Sequence, residues 1–240
     1  MRIGVVITMY DEFNIVLNSI KNIKNNFPDS VIVVSQSEFN FDSEIREEIL
    51  KLSDKYMVLE DLSLSYNRYE LPSQAICRNI SKGFNEIYKI DDFDLIIVFT
   101  GDTLITDSNN FLRRYNEMLN NNWVGMVSIA VGQNFHSNDD DPSNGISGNR
   151  FQNEDTTDFA CCYFMIKGNF AKKHKSFSNI KITNKFTSEQ CLGDEMMRSL
   201  SNEGFGFDKI GILNCVSPEA AYSYNDGIEY HSKTNGLPSR

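Results

Sequence analysis

An α/β fold with a mostly parallel central sheet flanked by helices is what this sequence predicts, and three observations carry the prediction. Short apolar runs rich in β-branched residues recur through the first half, each of a length suited to a strand buried on both faces. Between them lie segments whose apolar residues repeat at helical spacing, so the chain alternates strand and helix. One run, residues 95–99 (LIIVF), breaks abruptly into Thr100-Gly101-Asp102, which sets a carboxylate at the carboxyl end of a strand. That edge is where open α/β sheets bind ligands, so an acid beside a glycine there suits a metal or a phosphate. A plain Gly-Asp turn is the competing explanation.

Residues 3–8 (IGVVIT) read as the first buried strand. Asp11 then opens a helix in which Phe13, Val16, Leu17, Ile20 and Ile23 repeat at helical spacing, closed by Pro28. Residues 31–34 make a second strand, 44–52 a helix with Ile45, Ile49 and Leu52 on one face, and 56–59 a third strand. Ser73 is placed to cap a helix carrying Ile76, Ile80, Phe84 and Ile87 inward, with Arg78 and Asn79 near its start. After the 95–99 strand, Phe111, Leu112, Tyr115, Met118 and Leu119 mark another helix, and 123–131 another strand. A first half therefore ends near residue 125.

Residues 132–158 are polar, rich in Asn, Asp, Ser and Gly, and without apolar periodicity. Their Asp139-Asp140-Asp141 run reads as a solvated acidic patch, and a loop of such length is a candidate lid. Residues 159–167 read as a strand, 193–202 as a helix ended by Gly204, and 209–216 as another strand. The tail from residue 222 is polar and contains His231.

A formal charge of −10 over 240 residues argues against a reader of phosphate backbones, so nucleic acid is not an expected partner. No apolar run approaches the ~18 residues of a membrane span, and the amino terminus enters a strand without a signal-peptide pattern. A cytoplasmic protein is expected, with any membrane association peripheral to the inner face. Five cysteines, two of them adjacent at Cys161-Cys162 in an apolar run, suggest buried thiols. His136 and His174 read as surface residues.

The first strand-to-helix turn reads Thr8-Met9-Tyr10-Asp11-Glu12, without the glycines that a dinucleotide cradle needs, and no Gly-Lys-Ser or Gly-Lys-Thr follows a strand. A diphosphate would then be held most simply by a divalent metal at Asp102 and by basic side chains, Arg78 first among them.

In this order the motifs resemble the glycosyltransferases of the GT-A (Rossmann-like) fold, and are most similar to family 2 of inverting enzymes. VVITMYDEFNIVLNSIKNI resembles that family's first strand and helix, AICRNISKGF its Ala-Arg-Asn helix, and LIIVFTGDTLI the stretch bearing its Asp-x-Asp motif. The resemblance implies one GT-A domain over residues 1–240, with a nucleotide-sugar half to about residue 125 and an acceptor half beyond. It places Thr8, Tyr10 and Glu12 beside the nucleotide, and Asp102 on a Mn2+ or Mg2+ that binds the diphosphate. Thr100 replaces the motif's first Asp, so Asp102 is its one matching carboxylate. Ser35-Gln36-Ser37-Glu38 stands where the family has an acidic turn; Gln36 could bond a pyrimidine edge or be a turn residue.

CLGDEMMRSLSNEGF resembles the family's Glu-Asp motif, which opens a helix and supplies the catalytic base. An acceptor hydroxyl needs such a carboxylate to take its proton. The order is Asp-Glu here, so position favours Glu195 and residue type favours Asp194; two acids at a helix start favouring the helix dipole is the alternative. His231 is a candidate further metal ligand, since imidazole suits Mn2+.

The expected function is transfer of a hexosyl or N-acetylhexosaminyl group from a nucleoside-diphosphate sugar, UDP-sugar foremost, to a hydroxyl of a glycan or lipid-linked acceptor, with inversion. The family context implies polysaccharide, lipid-linked glycan or glycoprotein assembly. Two rivals are a nucleotidyltransferase on a related sheet, which the missing glycine- and lysine-rich first loop opposes, and a catalytically inactive GT-A-like binding subunit, which Thr100 favours.

Overall fold

The computed structural model describes residues 1–9, 13–37, 43–59, 72–101, 103–105, 107–128, 163–182, 188–213, 223–224 and 228–230. In chain order the strands are β1 (Ile3–Met9), β2 (Val31–Ser37), β3 (Lys55–Leu59), β4 (Leu95–Thr100), β5 (Thr103–Ile105), β6 (Gly125–Ser128), β7 (Tyr163–Lys167), β8 (Ile210–Leu213), β9 (Ser223–Tyr224) and β10 (Ile228–Tyr230). The helices are α1 (Phe13–Asn26), α2 (Ser43–Leu52), α3 (Pro72–Ile90), α4 (Ser108–Asn120), α5 (Gly168–His174) and α6 (Ser188–Ser201).

Seven strands form one sheet in the order β3-β2-β1-β4-β7-β6-β8. β1 pairs in parallel with both β2 and β4, β2 with β3, and β6 with β8; β7 alone runs antiparallel, between β4 and β6. The mostly parallel sheet expected from the alternation is present, and it continues through both halves of the chain. Three short strands form a second antiparallel sheet, β5-β10-β9.

The period-2 geometry of the strands sorts the core into two layers. Val6, Val33, Ile96, Val98, Phe164 and Ile166 face α3, α5 and α6, meeting Ile80, Phe84, Ala171, Leu192 and Met196. Their alternating neighbours Val5, Ile7, Ile32, Val34, Ile97 and Met165 face α1, α2 and α4, meeting Val16, Ile20, Ile49 and Phe111. Burial on both faces is why these strands read as unbroken apolar runs. Helix-to-sheet contact is close: a Cβ on Gly83 of α3 would lie 2.3 Å from Val6 Cγ1.

Element ends follow local chemistry, with some departures from the sequence reading. α3 begins at Pro72 and not after a cap at Ser73; proline fits a first helical position because its missing N–H has no intrahelical partner there. α4 is capped by Asp107, whose carboxylate accepts from Asn109 N at 3.0 Å and Asn110 N at 3.1 Å. α6 ends at Ser201, and Gly204, the glycine expected to stop it, follows in left-handed backbone with φ 71°. Its start lies at Ser188, five residues before the expected Gly193. His174 is not a surface residue: its side chain is 8% exposed, its ring packs against Phe170 at a tilt of 46° with centroids 4.7 Å apart, and Nε2 bonds Glu203 Oε1 at 2.6 Å. Cys77 and Cys191 are buried thiols, while Cys161 and Cys162 lie outside the described residues. So do residues 132–158, with the lid expected there. Among the described residues no helix is long and apolar enough to cross a membrane.

Candidate active site

Because the strands from β1 to β4 are parallel, β1, β2 and β4 all end at one edge, with the amino terminus of α3 beside them. There the apolar alternation gives way to buried polar groups, Thr8, Ser35, Gln36 and Ser37, each under 5% exposed. One side chain from α3 gathers them. Asn79, 2% exposed, donates from Nδ2 to Ser37 Oγ at 2.7 Å and toward Met9 O at 3.5 Å, while its Oδ1 accepts from Ser35 Oγ at 3.2 Å. The Asn of the Ala-Arg-Asn segment is thus the tie between the ends of β1 and β2 and the helix above them. Arg78, one residue earlier, is half-buried. Gln36 lies fully buried and its Oε1 accepts from the Tyr56 hydroxyl, so its side chain is part of the floor of this edge and not an exposed turn.

The β4 end is fixed from two sides. Gly101 N donates to Thr8 O at 2.9 Å, and the Thr100 and Thr103 hydroxyls lie 3.3 Å apart. A Cβ on Gly101 would fall 2.2 Å from Val16 Cγ2, so only glycine fits against α1 at this turn. Ser19 Oγ, from the next turn of α1, donates to Gly101 O at 2.6 Å. Beyond the turn, β5 pairs with β10 in the register Ile105↔Ile228, Leu104↔Glu229 and Thr103↔Tyr230. Asp102 and His231, the two candidate metal ligands, lie outside the described residues, as do Tyr10 and Glu12. Among the described residues no group of three His, Cys, Asp or Glu side chains could hold a metal ion.

Asp194 and Glu195 sit in the middle of α6, not at its start, so neither a helix-opening motif nor a dipole explanation describes them. The two acids have different environments. Glu195 is 3% exposed and both its oxygens are engaged: Arg198 Nε donates to Oε2 at 2.9 Å, and Phe177 N donates to Oε1 at 3.1 Å. Phe177 has φ 61° and Lys175 φ 48°, so this turn after α5 holds two non-glycine residues in the left-handed region. Its carbonyls are bonded from α3: Tyr88 Oη donates to Ser176 O at 2.6 Å, and Ser81 Oγ and Asn85 Nδ2 donate to Ser178 O at 2.8 and 2.7 Å. The Phe177 ring fills the gap beneath, with centroids 5.1 Å from Phe84 and 4.9 Å from Phe164. Burial pushes the Tyr88 phenol up, which keeps it a donor. Asp194 is exposed, yet the protein around it desolvates its carboxyl enough to raise its pKa above the ordinary carboxylate value.

Several of these roles escaped the sequence reading. Ser35 and Ser37, two apart at the end of an apolar strand, and Ser19 and Asn22, three apart beside Val16 and Ile23 on α1, carry the only available signal: polar residues at the period of a buried face.

No family model and no curated protein matches the sequence. Solved structures match by fold. A mannosyltransferase from Pyrobaculum calidifontis in complex with GDP-Man and Mn2+ aligns at TM-score 0.51 and 9% identity over 88% of this chain. Glucosyl-3-phosphoglycerate synthase from Mycobacterium tuberculosis in complex with Mg2+ and UDP aligns at TM-score 0.51 and 13% identity, again over 88% of this chain. The chain spans 54% of the length of the first and 68% of the second. The fold is the GT-A fold anticipated from the motif order.

Proposed function

We propose that this chain transfers a hexosyl or N-acetylhexosaminyl group from a nucleoside-diphosphate sugar to an acceptor hydroxyl, with inversion and with help from a divalent metal. The observation that carries the reading is the convergence, at one sheet edge, of the β1, β2 and β4 ends with the β5–β10 pair. Thr103 and Tyr230 face each other across that pair, and their chain neighbours are Asp102 and His231. In this reading Asp102 and His231 hold one ion. A carboxylate oxygen with an imidazole nitrogen is a donor set that suits Mn2+ better than the all-oxygen preference of Mg2+.

In this reading the edge near Thr8, Tyr10, Glu12 and Gln36 receives the nucleotide, and Arg78 meets the diphosphate. A metal held by Asp102 and His231 would neutralise charge on the departing diphosphate. Asp194 accepts the proton of the acceptor hydroxyl as its oxygen attacks the anomeric carbon and the bond to the diphosphate breaks. Two features favour Asp194 over Glu195: its carboxyl is exposed with a raised pKa, whereas both Glu195 oxygens are occupied. The matched structures are named as binding GDP-Man or UDP with Mn2+ or Mg2+, which supports the same donor chemistry here. The acceptor in this reading is a glycan or a lipid-linked acceptor, with any membrane contact peripheral. The half to about residue 125 would serve the donor and the remainder the acceptor.

The test is release of nucleoside diphosphate from a panel of UDP- and GDP-sugars with Mn2+ present. Asp194→Asn should abolish turnover and leave nucleotide binding within about twofold of wild type. Full turnover in Asp194→Asn, with loss in Glu189→Gln from the first turn of α6, would move the base to that turn. Turnover preserved in both would refute carboxylate base catalysis from α6.

A further inference from the structure

Three residues of α1, spaced by three, meet the stretch from Gly101 to the end of β5: Val16, Ser19 and Asn22. Val16 touches Gly101, and Ser19 Oγ, with no exposed surface, holds Gly101 O at 2.6 Å. Asn22 holds the other end in two directions at once. Its Nδ2 donates to Ile105 O at 2.9 Å, and its Oδ1 accepts from Ile105 N at 2.8 Å. A strand residue presents its N–H and C=O to one side, so the Asn22 amide stands where a neighbouring strand's backbone would be. β5 is thereby paired on both sides, by β10 on one and by a single side chain on the other.

A three-residue strand is too short to hold its place by its own ladder. Without Asn22 the buried N–H and C=O of Ile105 would need water or a shifted backbone, and the register with β10 would loosen. Asp102 lies between the two anchored points, and β10 leads directly into His231. Asn26 Nδ2 donates to Asn22 O at 2.9 Å, which ties the same stretch of α1 to its last turn.

We infer that Ser19 and Asn22 are positioning residues for metal and diphosphate binding: α1 clamps both ends of the segment that carries Asp102. The inference rests on the donor reading above and assigns these two residues a task that no motif in the sequence announces. Groups that orient ligands without touching the ion commonly change metal affinity by about 10- to 100-fold when removed.

The experiment measures dissociation constants for UDP and GDP with Mn2+ by calorimetry, well below the melting temperature. The proteins compared are the wild type, Ser19→Ala, Asn22→Asp and Asn22→Leu, with Ile49→Val on α2 as a destabilised control. Asn22→Asp keeps the acceptor for Ile105 N while losing the donor and setting a carboxylate against Ile105 O, so it remains informative if Asn22→Leu does not fold. Binding weakened about tenfold or more in the Ser19 and Asn22 variants, with Ile49→Val melting lower but binding as wild type, supports the inference. Variants that melt lower yet bind nucleotide and metal as wild type would overturn it, leaving a purely structural clamp. Wild type that binds neither nucleotide with Mn2+ would instead overturn the donor reading and, with it, this inference.

Discussion

Replacing Glu195 by alanine separates the two adjacent acids of α6 by what each does for the fold. The perturbation removes a 3%-exposed carboxylate that accepts one hydrogen bond from Phe177 N and two from Arg198. Hydrogen bonds to charged groups contribute about 1.5–3 kcal/mol, and stranding a buried partner raises the loss toward 3–5 kcal/mol. Arg198 is 42% exposed, so water takes over much of its solvation. Phe177 N–H has no such relief, and the left-handed backbone there, at φ 61°, depends on the groups that pin it. The balance is a loss of about 3 kcal/mol, which for a domain of this size lowers the melting temperature by roughly 6–12 °C. Asp194→Asn, on an exposed residue, should stay within about 0.5 kcal/mol. Thermal and urea unfolding of both variants beside wild type read the difference. A Glu195→Ala protein that melts with wild type, or an Asp194→Asn protein that falls as far, would refute the division of roles.

Gly101→Ala should destabilise by about 1–3 kcal/mol through overpacking on Val16, and Val16→Ala in the same chain should recover most of it, a coupling that a double-mutant cycle in urea measures. Asn79→Ala should cost about 2–3 kcal/mol, because Ser35 and Ser37 lose their shared partner at a buried site, and it should also weaken nucleotide binding; denaturation and calorimetry report the two effects separately. Desolvation raises the Asp194 pKa, so the acid limb of the wild-type kcat/KM profile, measured against pH, should titrate above the ordinary value of 3.8. The same raised value means that the folded state holds this proton more tightly than the unfolded one. Stability from Asp194 is therefore present below its unfolded pKa and lost as pH rises through its folded pKa, and Asp194→Asn should be no less stable than wild type at neutral pH.

The layered sheet was legible because β1, β2 and β4 are buried on both faces, which writes them as unbroken apolar runs, and because α1, α3 and α4 each show one apolar stripe. The same logic explains what was not legible. β5, β9 and β10 are two or three residues long, too short for any period, and α5 spans two turns from Gly168 to Lys172, Lys173 and His174, too short and too basic at its end to show an apolar stripe. The start of α6 was misplaced because Gly193 resembles a helix boundary, while Ser188, Glu189 and Gln190 lack an apolar stripe of their own. At the site, Asn79 stood out through its motif, but Ser19, Asn22, Ser35 and Ser37 are common surface types whose partners lie far along the chain. Glu195 and Asp194 are neighbours in sequence and opposites in environment, a distinction set by the turn at Phe177 more than by the helix that bears them.

The most direct test of the donor reading is the melting temperature of the purified protein with UDP, GDP, dTDP or CMP, each in Mn2+, in Mg2+ and in chelator. A ligand that binds only the folded state must raise the transition, by about 2.7 kcal/mol of stability at a hundredfold excess over its dissociation constant. A nucleotide-sugar transferase should show one nucleotide standing clear of the others, with the gain lost in chelator and in Asp102→Ala. A transition that no nucleotide moves with either metal would contradict the reading.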